Sequence, residues 1–201
     1  MVVPQEQLGD DFEDLEIDEA SGAFDNEHFS YGTVDPDDTG ADVEEAGRIS
    51  GYRLGYSRSN IEAVWQEGEG LYSGGTEVNL FKDAESASVS LQQQIEGFQR
   101  FEGKQYAAGF TLMDFDSFGV EGLGDEAIGL RAHMVAFGEM HVYGTAVYFQ
   151  VGPLLAAASV QRADDRNVDN EVEDMARALE RRIEGALQGE IGGTSTPRDD
   201  S

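Results

Sequence analysis

Residues 126–161, EAIGLRAHMVAFGEMHVYGTAVYFQVGPLLAAASVQ, constrain the fold more than any other stretch of this chain. Nearly every residue is apolar, aromatic or small, yet turn chemistry interrupts the run at Phe137-Gly138-Glu139 and again at Val151-Gly152-Pro153. Such breaks predict three consecutive strands joined by hairpins, an antiparallel meander. In the middle strand Val147 and Phe149 alternate with Ala146 and Tyr148, so neither face is polar and both need cover. That strand should be central in its sheet. The third strand carries Ala156, Ala157 and Ala158, side chains small enough to admit a closely packed helix or to leave room for a ligand.

Two helices are predicted to supply the cover. Asp83 offers an N-cap to residues 84–101, where Ala84, Ala87, Leu91, Ile95 and Phe98 recur at three and four residues. A second stripe, Val168, Val172, Met175, Leu179, Ile183 and Ala186, runs through residues 167–188, with acids early and arginines late, as the helix dipole favours. Alternation at Tyr52, Leu54 and Tyr56 predicts a strand over 48–57. Further extended segments are expected near Val64 and Trp65, at 76–81 and in AGFTLMDFDSF, where Phe110 and Leu112 take one face and Met113 and Phe115 the other. The expected fold is α+β: a single antiparallel β-sheet of five to seven strands, ending in the meander and covered by two long amphipathic helices.

Charge divides the chain. Its 41 acidic and 13 basic residues give a formal net charge of −28, and only Lys82 and Lys104 are lysines. Residues 1–47 hold 16 of the acids and neither Lys nor Arg, an acidic arm expected to dock in part through Leu8, Phe12, Leu15 and Ile17 and otherwise to read as loop through Asp38. Residues 48–189 should form one domain and 190–201 a disordered tail. The charge argues against a nucleic-acid partner and an anionic membrane surface, and no run is long and apolar enough for a transmembrane segment. With no cysteine in the chain, disulfides and thiolate metal sites are excluded. The acidic, lysine-poor surface fits either salt adaptation or an ordinary acidic secreted protein.

No motif declares a reaction. GLGDEA (122–127) satisfies G-x-G-x-x-A, but a strand follows it and Asp125 and Glu126 would repel phosphate, so it reads as a tight loop. Residues 35–46 approach a calcium loop through Asp35, Asp37, Thr39 and Gly40, yet Ala46 stands where a bidentate Glu is needed, so a helix-capping turn is the expectation. His133 and His141 fall on neighbouring strands, expected several residues apart in register, so no metal and no cofactor are assigned. Carboxylate pairs for hydrolysis can be drawn from 41 acids in too many ways to inform.

Gly47-Arg48 with Gly51-Tyr52, the segment TEVNLFKDAESA, GLGDEA, two long strands meeting at a glycine turn and the final ALERRI together resemble the extracytoplasmic lipoprotein-type domains of many bacteria. Those are similar in outline to kinase sensor ectodomains and to the photosystem extrinsic-protein sandwich. The resemblance covers residues 47–188 and implies an exported domain that binds or senses in place of catalysing. This chain lacks the cysteines some members carry, a lipidation cysteine among them. The expected ligand is a small apolar or weakly polar molecule, or a protein partner, over the sheet. The expected contact residues are Tyr52, Tyr56, Tyr143, Tyr148, Ala156 and Ala158. An acidic calcium-binding or structural surface protein and a carboxylate-based hydrolase are the alternatives.

Self-repulsion of −28 charges should be relieved as salt shortens the Debye length to roughly 3 Å near 1 M. The thermal midpoint is therefore expected to rise between low salt and about 2 M KCl. A flat or falling curve would refute salt adaptation.

Overall fold

The computed structural model describes residues 1–30, 40–60, 64, 66–107 and 109–189. The expected tail at 190–201, the start of the calcium-like loop at 35–39 and Trp65 lie outside the described residues. Nine strands form one sheet among the described residues: β1 (Glu16–Ile17), β2 (Gly22–Phe24), β3 (Arg48–Ser57), β4 (Leu71–Phe81), β5 (Gln105–Ala107), β6 (Phe110–Gly119), β7 (Glu126–Ala136), β8 (Met140–Val151) and β9 (Leu154–Arg162). Their order is β1-β3-β4-β9-β8-β7-β6-β5, with β2 pairing on β3 beside β1, and every pairing is antiparallel. The helices are α1 (Asn26–Ser30), α2 (Gly40–Glu45), α3 (Ala84–Phe101) and α4 (Asp169–Leu187).

The fold is the expected α+β arrangement on a single antiparallel sheet, with more strands than the five to seven expected. The excess is short: β1 ends the stretch of the acidic arm expected to dock, β2 falls where a loop was expected, and β5 extends the opposite edge. In the arm Leu8, Phe12 and Leu15 are buried, whereas Ile17 is exposed. Val64 is helical and buried instead of extended.

Meander residues 126–161 set the centre. β8 lies between β7 and β9, and Val147 and Phe149 are fully buried. On one face Leu154, Ala156, Ala158 and Val160 of β9 meet Val172, Met175, Ala176, Leu179 and Ile183 of α4, together with the arm's Val3, Leu8 and Phe12. Full burial of each larger apolar side chain contributes about 1.5–3 kcal/mol, so the amphipathic stripe of α4 is what fixes this layer. On the other face Ala87, Leu91 and Ile95 of α3 pack on Phe81, Leu155, Ile128 and Tyr148. The Asp83 side chain caps α3 by accepting from the Ser86 N–H at 2.8 Å.

In β6 a bulge between Leu112 and Asp114 corrects the expected faces. The extra residue returns Phe115 to the side of Leu112, where it stacks on Phe98 of α3 with centroids 5.2 Å apart, and leaves Met113 exposed.

The GLGDEA loop is held where a phosphate would have to bind. The Gly124 N–H donates to a Glu180 carboxylate oxygen of α4 at 2.6 Å, and Arg177 donates to the Glu121 and Gly122 carbonyls. At φ 57°, Gly124 takes a left-handed conformation, and an added Cβ would strike the Gln150 carbonyl.

Asp164 fastens the end of the meander. It accepts two bonds from Arg162 at 2.7 and 2.8 Å, one from the Gly70 N–H at 2.6 Å and one from the Arg166 N–H at 3.2 Å. Chiefly through Arg162, these hold its carboxyl at about 2, below its ordinary 3.8. A depressed folded-state value means the stabilisation is complete above about pH 4 and is lost as the pH falls toward 2. Asp164→Asn should cost about 2 kcal/mol at neutral pH by chemical denaturation, with the difference from wild type vanishing at the acid end. A difference independent of pH would show that charge is not the cause.

Candidate functional site: a polar cavity over the central strands

Glycine, alanine and serine on one face of β3, β4 and β9 leave a hollow in the sheet. Cross-strand pairing aligns Gly55 with Gly75 and Gly75 with Ser159, and Glu77 with Ala157 and Arg53, all on the face opposite α4. The hollow is a cavity of about 360 Å³. Its floor includes Ser73, Gly75, Glu77, Ala157, Ser159 and Gln161; Tyr148, Leu155 and Gln94 of α3 bound it on one side, and Asp18, Phe24, His28 and Phe29 of the arm on the other.

The floor is wired by hydrogen bonds. Tyr72 and Ser73 hydroxyls both donate to the Gln161 side-chain oxygen, at 2.7 and 3.1 Å, leaving the Gln161 amide N–H groups as donors. Asn79 donates to a Glu77 carboxylate oxygen at 2.6 Å and accepts from Arg48 Nε at 2.9 Å. Burial pushes the Glu77 carboxyl above its ordinary value, against the opposing pull of Asn79, Arg53 and Arg48.

Arg48 anchors this chain. Only 2% exposed, it lies against both the Phe24 and Phe29 rings, 4.6 and 4.3 Å from their centroids, and donates from Nη1 to Asn26 Oδ1 at 2.6 Å. Its Nη2 is buried without a partner, and burial lowers its pKa to about 10, so it stays charged at neutral pH. The arm's aromatic pair is therefore pinned to the sheet by one buried guanidinium, which gives the cavity its outer wall. The absence of a side chain at Gly51 makes this possible: a Cβ there would collide with Arg48 Nη2, Asn79 Oδ1 and the tip of Phe24.

The six residues expected to contact a ligand are divided between the two faces. Tyr148 presents its side chain toward the cavity, while Tyr56 and Ala156 reach it from strand positions that face the other way. Tyr56 is buried against Phe12, rings edge-on at 6.2 Å, and Ala156 and Ala158 lie in the α4 core. Tyr52 is partly exposed on β3, and Tyr143 stacks on His133 at 4.6 Å on the face of the sheet opposite the cavity. The alanine run divides because a strand alternates: Ala156 and Ala158 admit the helix, and Ala157 lies on the floor of the cavity. Sequence reasoning missed Glu77, Asn79, Arg53, Ser159 and Gln161. For Glu77 and Asn79 the signal was present in TEVNLF, where they put polar groups on one face of a strand whose other face, Val78 and Leu80, is apolar.

His133 and His141 also depart from expectation. His133 pairs with Tyr143, so His141 is its diagonal neighbour, and the two rings meet with Nε2 of His133 and Nδ1 of His141 2.8 Å apart. Diagonal side chains on a twisted antiparallel pair are within reach for rings of this length.

No protein family and no curated protein matches this chain. Among solved structures, the extracellular domain of PknH from Mycobacterium tuberculosis is similar at a TM-score of 0.46 and 13% sequence identity, over 68% of this chain and 66% of that one, just under two thirds of its length. Among the described residues no helix is long and apolar enough to cross a membrane.

Gly51→Ala should destabilise the protein by about 1–3 kcal/mol, as overpacking does. It should also loosen the outer wall, which hydrogen exchange at residues 22–30 would report. Unchanged exchange there would separate the arm from the Arg48 anchor.

Proposed function

We propose that this chain is a non-catalytic, extracytoplasmic recognition domain that takes a small, neutral, polar molecule into the cavity between α3 and the arm. The observation that carries the reading is Glu77, a half-buried carboxyl with a raised pKa on the floor of a cavity of about 360 Å³. Two carboxylates, Asp18 and Glu77, stand against two guanidiniums, Arg53 and the nearby Arg48, so neither a strongly anionic nor a strongly cationic ligand is favoured. Hydroxyls and amides at Ser73, Ser159, Gln161 and Gln94, with Phe24, Phe29 and Tyr148 around them, suit a hydroxyl-bearing ligand of sugar or polyol size. This differs from the apolar ligand expected from the tyrosines, of which Tyr148 alone presents its ring from a strand position on the cavity face. Glu77 is bonded to an amide and faces guanidiniums, an arrangement for holding a ligand in place of the opposed acids a hydrolase requires. The extracytoplasmic placement rests on the motif resemblance of residues 47–188.

Titration calorimetry and chemical-shift mapping with monosaccharides, disaccharides and polyols at millimolar concentration should find a binder whose shifts centre on Ala157, Ser159 and Glu77. Ala157→Leu should abolish that binding by filling the floor, and Glu77→Gln should weaken it about tenfold, the loss of one charge-assisted hydrogen bond. Binding that survives Ala157→Leu, or a panel without a binder, would overturn the reading.

A further inference from the structure

The geometry points to a second site on the opposite face of the sheet: a two-histidine clip, His133 on β7 and His141 on β8, that takes a borderline first-row divalent metal ion, copper(II) most tightly. The clip is preset in three respects. First, Nε2 of His133 and Nδ1 of His141 are 2.8 Å apart. With metal–nitrogen bonds of about 2.0 Å, neighbouring ligands of a tetragonal ion stand about 2.8 Å apart and tetrahedral ligands about 3.3 Å. The observed spacing therefore fits copper(II) or nickel(II) better than zinc.

Second, His133 is oriented as metal-binding histidines are. Its Nδ1 lies 3.1 Å from Asp114 Oδ2 on the neighbouring β6, so a neutral ring donates there and keeps its Nε2 lone pair for an incoming ion. The Tyr143 ring stacks on His133 at 4.6 Å and holds the plane of the imidazole. His141 gives its Nδ1 lone pair when its ring proton moves to Nε2, a tautomer change that needs no net loss of charge. In the free protein the two nitrogens share an N–H···N bond, which an ion binding both would replace.

Third, the site carries an acid and leaves room for an ion. Asp114 bonds His133 directly, while Asp116 and Asp169 pair with Arg131 and so hold that cation to themselves. His141 and Asp114 are exposed, so water can complete the coordination sphere. Among the described residues no cluster of three or more histidine, aspartate and glutamate ligands occurs, so the protein supplies two donors and solvent the rest. Register explains why the sequence reading assigned no metal: the three-residue turn at 137–139 sets Ala136 against Met140, which places His141 diagonal to His133.

The test uses the full chain without a histidine tag, titrated by calorimetry with copper(II) chloride alone and then nickel(II) chloride alone. One equivalent should bind, copper ahead of nickel ahead of zinc, with nitrogen coupling in the copper electron paramagnetic resonance spectrum. His133→Gln and His141→Gln should each remove that equivalent, Asp114→Asn should weaken it about tenfold or more, and His28→Gln should leave it intact. Metal-free thermal midpoints of the variants should match wild type, so that lost binding is not lost folding. If the His133→Gln/His141→Gln double variant binds copper as wild type does, or wild type binds none, the proposal is overturned.

Discussion

The structure depends on one constraint: the middle of β8 and the start of β9 are apolar on both faces and must be covered on both. Burial of Val147, Phe149, Ala156 and Ala158 on one side and Leu155 and Tyr148 on the other forces a three-layer arrangement, helix, sheet, helix. The two covers are not equivalent. α4 runs along a floor of alanine and valine and, with the arm, seals its face. α3 covers β8 and the adjoining parts of β4, β9, β7 and β6, and its layer stops short of β3. The cavity is the part of the second face that α3 does not reach, closed instead by the arm.

Electrostatics follows from that layout. A chain with a net charge of −28 has few cations to spend, and they are arginines placed where one guanidinium satisfies several groups. Arg48 joins the arm's aromatics to β4, Arg162 meets Asp164 in a two-pronged pair, Arg131 ties the start of α4 to β6, and Arg177 holds the loop before β7. A lysine at any of these positions would supply one point charge where a planar fork is used. Surface repulsion is thus tolerated while the attractive contacts sit at the joints between elements. Both candidate sites grow from the same economy: polar groups left over on the sheet, Glu77 with Asn79 on one face and His133 with Asp114 on the other, are those the helices do not cover.

By itself the sequence determined the meander, the two long helices and the antiparallel α+β class, because these rest on local periodicity and turn chemistry: glycines at 138 and 152, Asp83 at a helix start, stripes repeating every three to four residues. What only the tertiary structure decided is which leftover residues meet. The partner of Arg48 lies 31 residues away at Asn79, and Phe24 and Phe29 come from an arm whose acidity reads as loop. The division of Ala156, Ala157 and Ala158 between core and cavity was legible as alternation, but the face each would take depended on where α4 packed. Histidines 133 and 141 were visible on neighbouring strands, yet their contact hung on a register set by one three-residue turn. Local propensity extends over a few residues, whereas a site is assembled by pairings across tens of residues, and a shift of one residue in register would have turned every one of those side chains to the other face.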